Sequence, residues 1–186
     1  MAKKKKVGSW KEKSAYDVIA PENFDSVSLG TTIASNPGLL KGRNIDISLK
    51  DLTGDRGKQH IKLVFVIDKV DGNQVHTRFK MFNMNPGYLK SRVRKGGSKI
   101  DYIDMVEMGG EKVKIKIITV TNGHIQSSQK RDVTVKISSI IKSHGNDKLN
   151  EFAQIALFGK LGTEIYHGIK NICPVKRVEI EQLRVL

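Results

Sequence analysis

The sequence predicts an α+β protein that is β-rich and mainly antiparallel, with several helices packed on its strands and a basic, flexible N-terminal arm. Three observations carry this. Aliphatic residues alternate with polar or cationic ones in residues 44–49, 75–81 and 112–117, and a period of two sends one row inward and the other to solvent. The turns Asp71-Gly72-Asn73 and Gly109-Gly110 join consecutive runs of this kind into hairpins. In the C-terminal third, apolar residues return at helical spacing instead, before one last strand.

Taken in order, residues 1–14 hold six lysines with glycine and serine, too little apolar surface for a core, and so read as an arm whose charges repel one another. Trp10 within it has two readings, a ring tucked onto the domain or a ring stacked on a nucleobase. Residues 15–186 read as a single domain. Residues 16–19 form a short extended segment closed by Pro21, residues 27–34 a strand, and Asn36-Pro37-Gly38 a turn. A tight basic loop, residues 39–43, feeds the strand 44–49, with Ile45, Ile47 and Leu49 on one face. Residues 61–70 are a longer, more fully apolar strand, and the return strand sets Val75, Thr77, Phe79 and Met81 against His76, Arg78 and Lys80.

Asn85-Pro86 is a helix start, with asparagine as cap and proline at the first helical position. Leu89 and Val93 mark its packed side and Gly96-Gly97 its end. Residues 100–108 and 112–120 make the second hairpin. Residues 127–143 are ambiguous, because Val133, Val135 and Ile137 alternate as in a strand while Val133, Ile137, Ile140 and Ile141 fit a helix; length favours the helix. Asn146 or Asp147 is placed to cap the next helix, whose stripe is Leu149, Phe152, Ala153, Ile155 and Ala156. Residues 163–171 are a third helix, and residues 175–185, after Pro174, a closing strand.

Composition then bounds the function. The 186 residues suffice for a sizeable core. Thirty-three Lys+Arg against 19 Asp+Glu leave a charge of +14 at pH 7, the footprint of a nucleic-acid binder. No apolar run of about eighteen residues and no basic amphipathic anchor is present, so no membrane partner is expected. The positive cluster at residues 1–6 has no apolar stretch behind it and is not a secretory signal, which makes the cytoplasm the expected compartment. Cys173, alone, excludes an intrachain disulfide framework and a multi-cysteine zinc site. The five histidines lack metal-ligand spacing, Asp104, Glu107 and Glu111 flank a hairpin turn as ordinary solvated carboxylates, and the glycines form no phosphate-binding fingerprint. No enzyme, cofactor, metal or small-molecule substrate is expected.

The candidate RNA contacts are cations with few acids beside them. Lys3, Lys4, Lys5, Lys6, Lys11 and Lys13 belong to the arm, with Trp10 among them. Lys41 and Arg43 flank a turn glycine and could pinch a phosphate. Arg78 and Lys80 make one face of a strand cationic, as Lys112, Lys114 and Lys116 do in the second hairpin. Lys90, Arg92, Arg94 and Lys95 decorate the short helix; Lys130, Arg131 and Lys136 have only Asp132 as a counter-charge. Each group also has a plainer reading as a solvated face. As RNA contacts they would displace condensed counterions, with affinity falling by roughly 0.7–0.9 log units per log unit of salt for each phosphate neutralised. An aromatic content of 6% suits reading of shape, phosphates and 2′-hydroxyls more than of bases. A free RNA chaperone or translation-regulatory RNA-binding protein is the alternative these cations would serve.

Trp10 with Tyr16-Asp17-Val18, the Ala20-Pro21-Phe24 spacing, Leu40-Lys41-Gly42-Arg43 leading into Ser48-Leu49-Lys50-Asp51-Leu52, Lys112-Val113-Lys114-Ile115-Lys116 and Ser127-Ser128-Gln129-Lys130 follow one another along the chain. The densest segments come last, Phe158-Gly159-Lys160-Leu161-Gly162-Thr163-Glu164-Ile165-Tyr166 and Pro174-Val175-Lys176-Arg177-Val178-Glu179-Ile180. In order and coverage, nearly end to end, this set resembles the small-subunit ribosomal protein family of archaea and eukaryotes called S-three-A-e, also e-S-one. Cys173 departs from the aromatic residue typical of the family, and residues 133–139 carry fewer cations. The resemblance implies a β-rich, barrel-like domain with helices packed on it, archaeal in type. It further implies a structural constituent of the small ribosomal subunit, on the platform near the messenger exit and the 3′ end of the small-subunit RNA, supporting assembly and translation. The implied partners are small-subunit ribosomal RNA, neighbouring small-subunit ribosomal proteins and messenger RNA near the exit.

Overall fold

The computed structural model describes residues 13–145 and 148–186; the arm residues before Lys13 and the cap candidates Asn146 and Asp147 lie outside them. Eight strands pair in a mixed sheet accompanied by five helices, an α+β fold. Contacts divide the chain into two compact units, one of residues up to 59 with 63–80, the other of 60–62 with 81–186.

The first unit holds β1 (Ser14–Ile19), β2 (Ser28–Ala34), β3 (Asn44–Ser48), the short helix α1 (Leu49–Thr53), most of β4 (Ile61–Asp71) and the first part of β5 (Gln74–Met84). β2 runs antiparallel to β1, and Asp17, Val18 and Ile19 lie parallel to Gln74, Val75 and His76. Its core gathers Tyr16, Val18, Ala34, Leu40, Ile67 and Val75. Phe24 meets Phe65 edge-on at 5.3 Å and stacks on Phe79 at 6.1 Å, geometries that aromatic quadrupoles favour. Leu49 opens α1 and does not close the preceding strand. The Ser48 hydroxyl accepts from Lys50 N–H at 3.2 Å and starts the helix, which Gly54, left-handed at φ 72°, ends.

The second unit adds α2 (Pro86–Arg92), β6 (Lys99–Met108), β7 (Glu111–Thr121), α3 (Ser127–Ser143), α4 (Leu149–Leu157), α5 (Lys160–Ile169) and β8 (Val175–Val185). The end of β5, then β8, β7 and β6 lie side by side and antiparallel. In β5 the inward set is Val75, Thr77 and Phe79, and then the phase slips, so that Phe82 and Met84 are buried and Met81 is not. The slip falls where β5 passes from one unit to the other. In β7, Val113, Ile115 and Ile117 are buried, as alternation predicts. They share a face with Tyr102, Ile180 and Leu183, and Ser138 of α3 reaches the Tyr102 hydroxyl on that side.

Residues 127–143 are one helix, with Val133, Ile137 and Ile141 buried and Val135 64% exposed. The Gln129 side-chain oxygen accepts from Gln126 N–H at 3.1 Å at its start. The buried stripe of α4 is Phe152, Ala153, Ala156 and Leu157, and Ile155 is only half-buried. α5 begins three residues before the sequence reading places it, because Gly159 and Gly162 look like breakers and act otherwise. Gly159 is a left-handed cap at φ 79°. Gly162 lets α5 approach β8 so closely that a Cβ there would sit 3.3 Å from the Val178 carbonyl oxygen.

Candidate nucleic-acid interface

In the first unit, Lys41 is exposed beside a shallow cavity of about 370 Å³ that Lys69, Asp68 and Asp71 also line. Arg43 is exposed but occupied: its Nε donates to Leu39 O at 2.9 Å and its Nη1 to Ile33 O at 3.2 Å. Lys80 Nζ donates to Asn44 Oδ1 at 3.0 Å, while Arg78 is exposed on β5 and Lys13 is exposed just before β1. Lys3, Lys4, Lys5, Lys6, Trp10 and Lys11 lie outside the described residues.

The second unit holds the other candidates. Asn85 caps α2, its Oδ1 accepting from Gly87 N–H at 2.9 Å, with Pro86 in the first turn. The helix stops at Arg92, with Val93 already extended, so Arg94 and Lys95 project from the loop beyond it. His60, a residue sequence reasoning passed over, stacks on Tyr88 at 3.8 Å, and the Arg92 guanidinium lies 4.6 Å from the same ring, a cation–π contact. The Tyr88 hydroxyl accepts from Arg177 Nη1 at 2.9 Å, and Arg177 also pairs with Glu179 at 3.0 Å. Arg177 thus ties Tyr88 of α2 to β8, Arg92 lies over the same ring from within α2, and Lys90, Arg94 and Lys95 are exposed at this corner beside them.

On β7, Lys112 stands opposite Glu107, and Lys116 is joined to Glu181 at 3.0 Å, its charge compensated. Lys114 stands between Met105 and Arg184. Arg184 is a cation that strand alternation hides. Residues 177 and 184 are an odd number apart, so a regular strand would turn them to opposite faces. The bulge at Glu181, where Lys116 opposes Gln182 and Ile117 opposes Ile180, brings both to the face of Lys114. In α3, Arg131 and Lys136 are exposed and Lys130 is half-buried in a first turn without an acid. Cations at a helix's positive end raise the local potential instead of relieving it. The stem of Lys136 runs over Gly168 of α5, whose added Cβ would meet its Cε at 3.8 Å.

Two titratable groups depart from their ordinary ranges. Burial, and then the hydrogen bond to Asp104, push the Tyr102 hydroxyl up from 10.0 to about 12, and burial raises the Cys173 thiol. Both are thereby held neutral. Among the described residues no helix is long and apolar enough to cross a membrane.

The family model of the ribosomal S3Ae family matches residues 1–186. The chain belongs to the ribosomal S3Ae family. A small ribosomal subunit protein eS1 of Methanobrevibacter smithii is 37% identical over 180 residues, covering 96% of this chain and 93% of that protein. Proteins of the same name from Methanococcus vannielii and Desulfurococcus amylolyticus are each 36% identical, over 100% and 95% of this chain and 86% and 84% of theirs. In this S3Ae family member, the two segments densest in the resemblance, 158–166 and 174–180, meet along a cavity of about 310 Å³. Its floor includes Phe82, Met84 and Ile180 and its rim Thr163, Tyr166 and Lys176. Cys173, where the family resemblance leads one to expect an aromatic ring, is buried at the entry to β8.

Proposed function

We propose that this chain is a structural constituent of the small ribosomal subunit that binds ribosomal RNA through phosphate and shape contacts. The observation that carries the reading is the family match across residues 1–186. The charge of +14 supports it, as do the exposed cations of the second unit, Lys90, Arg94, Lys95, Lys112, Arg131 and Lys136, none of which forms an ion pair among the described residues. Phosphate charge along an A-form helix is met by such cations without reading of bases, which a deep, narrow major groove withholds. The arm lysines and Lys41 add contacts of the same kind. The seat is the platform near the messenger exit and the 3′ end of the small-subunit RNA, in the cytoplasm, with neighbouring ribosomal proteins alongside. The role is assembly and support of translation, not catalysis.

Sedimentation tests this. In low-salt gradients the tagged native protein is expected with small subunits and is expected to leave them after ribonuclease treatment. Recovery only in light fractions, as free protein with RNA, would overturn the ribosomal seat in favour of a free RNA chaperone or regulator.

A further inference from the structure

We propose that the open face of the β5–β8–β7–β6 sheet, with the groove beside it under α2, is a docking surface for an acidic, apolar segment of another protein. Pairing puts Met81, Arg184, Lys114 and Met105 in one row across the four strands and Asn83, Gln182, Lys116 and Ile103 in the next. Met105 is 70% exposed and Ile103 54%. Two such side chains adjacent on one strand face make a patch, which a scattered apolar residue does not. Ile118 pairs with Asp101, so Ile103 is its diagonal neighbour. Ile118 lines a groove of about 480 Å³ walled by Pro86, Leu89 and Val93. An apolar strip thus runs from Met105 through Ile103 into a pocket able to hold an anchoring side chain.

The charges beside the strip select the occupant. Lys114 lies beside Met105 with Arg184 on its far side, Lys90 borders the groove, and none of the three forms an ion pair among the described residues. The acids of this face are answered by other lysines, Asp101 by Lys99, Glu181 by Lys116 and Glu107 by Lys112 opposite it. A second copy would set cations against cations, each chain carrying +14. RNA would satisfy the cations but would press phosphates against Met105 and Ile103, which costs desolvation without return. A protein segment with carboxylates flanking apolar side chains satisfies both. It docks by side chains on the face and not as an added strand at the β6 edge, because Asp104 Oδ1 already accepts from Met105 N–H at 2.8 Å.

The test uses the purified full chain and fluorescence anisotropy with three labelled probes. These are a peptide of about twelve residues alternating leucine with glutamate, an all-glutamate peptide of equal length, and a short RNA duplex. The leucine–glutamate peptide is expected to bind more tightly than the all-glutamate one, and Ile103→Ser with Met105→Ser to weaken it about tenfold while RNA affinity stays unchanged. Lys114→Ser with Arg184→Ser is expected to weaken it by a similar factor, and it carries the test if circular dichroism shows the first variant unfolded. Equal affinity for the two peptides, or full peptide affinity in a folded variant, overturns the proposal. So does a loss of RNA affinity as large as the loss of peptide affinity in the Ile103/Met105 variant. The proposal does not rest on the ribosomal reading, whose failure would show in sedimentation and leave these peptide results standing.

Discussion

A methyl group added at Gly97 would lie 2.5 Å from the Thr121 carbonyl oxygen, a backbone atom that cannot rotate away. The neighbouring residues are tied to the same strand end: Ser98 N–H donates to Thr121 Oγ1 at 3.0 Å, and Ser98 O accepts from Thr121 N–H at 3.0 Å. Gly97→Ala must therefore shift this loop, and a loss of about 1–3 kcal/mol is expected, seen as a lower urea midpoint at unchanged m-value. Tyr102 gives a pH dependence. Its hydroxyl donates to Asp104 Oδ2 at 2.5 Å, and its pKa stands at about 12 against an ordinary 10.0. The folded value is the higher one, so the contribution is complete below about pH 10 and is lost as pH rises toward 12. That difference corresponds to up to about 2–3 kcal/mol. Wild type should lose stability between about pH 10 and pH 12 by more than Tyr102→Phe does, with urea midpoints as the readout; parallel losses would remove Tyr102 as the cause.

Among elements, α3 offers the sharpest contrast, because one pair of side chains separates a helix from a strand. Ile137 is fully buried and Val135 64% exposed, although alternation in the sequence treats them as equals. Ile137→Ala is expected to cost about 2–4 kcal/mol through transfer and cavity terms, and Val135→Ala to stay within about 0.5 kcal/mol. Equal losses in chemical denaturation would mean that the helix packs differently. The β6 edge shows how an exposed strand is kept from pairing with other chains. Asp104 closes the Met105 N–H, and Lys99 and Asp101 place charges along the strand, paired at 2.9 Å. In β8 a single extra residue, Glu181, turns the strand, neutralises Lys116 and moves Arg184 beside Lys114.

For the whole molecule, the strong positive charge predicts that the proposed association with RNA is salt-dependent, and the candidates differ in how much of that charge they carry. Lys130→Glu with Arg131→Glu lowers the net charge from +14 by four, to +10, at one half-buried and one exposed position. The fold is expected to survive. RNA affinity should fall, and the slope of log affinity against log salt should flatten by about 1–2. An unchanged slope would take these residues out of the interface. The alternation of β7, the Asn85-Pro86 helix start, the Gly109-Gly110 hairpin and the family resemblance were all legible in the sequence, because each depends on neighbours along the chain or on composition. The fates of individual cations were not. Arg43 is taken by two carbonyls, Lys116 by Glu181, and Arg92 lies over Tyr88. The Arg43–Leu39 and Arg92–Tyr88 contacts each span four residues, but Ile33 and Glu181 reach their cations from farther along the chain. The open strip of Met105 and Ile103 was equally hidden. Periodicity says which side chains share a face of a strand, but what covers that face is decided by strands and helices that arrive from elsewhere in the chain.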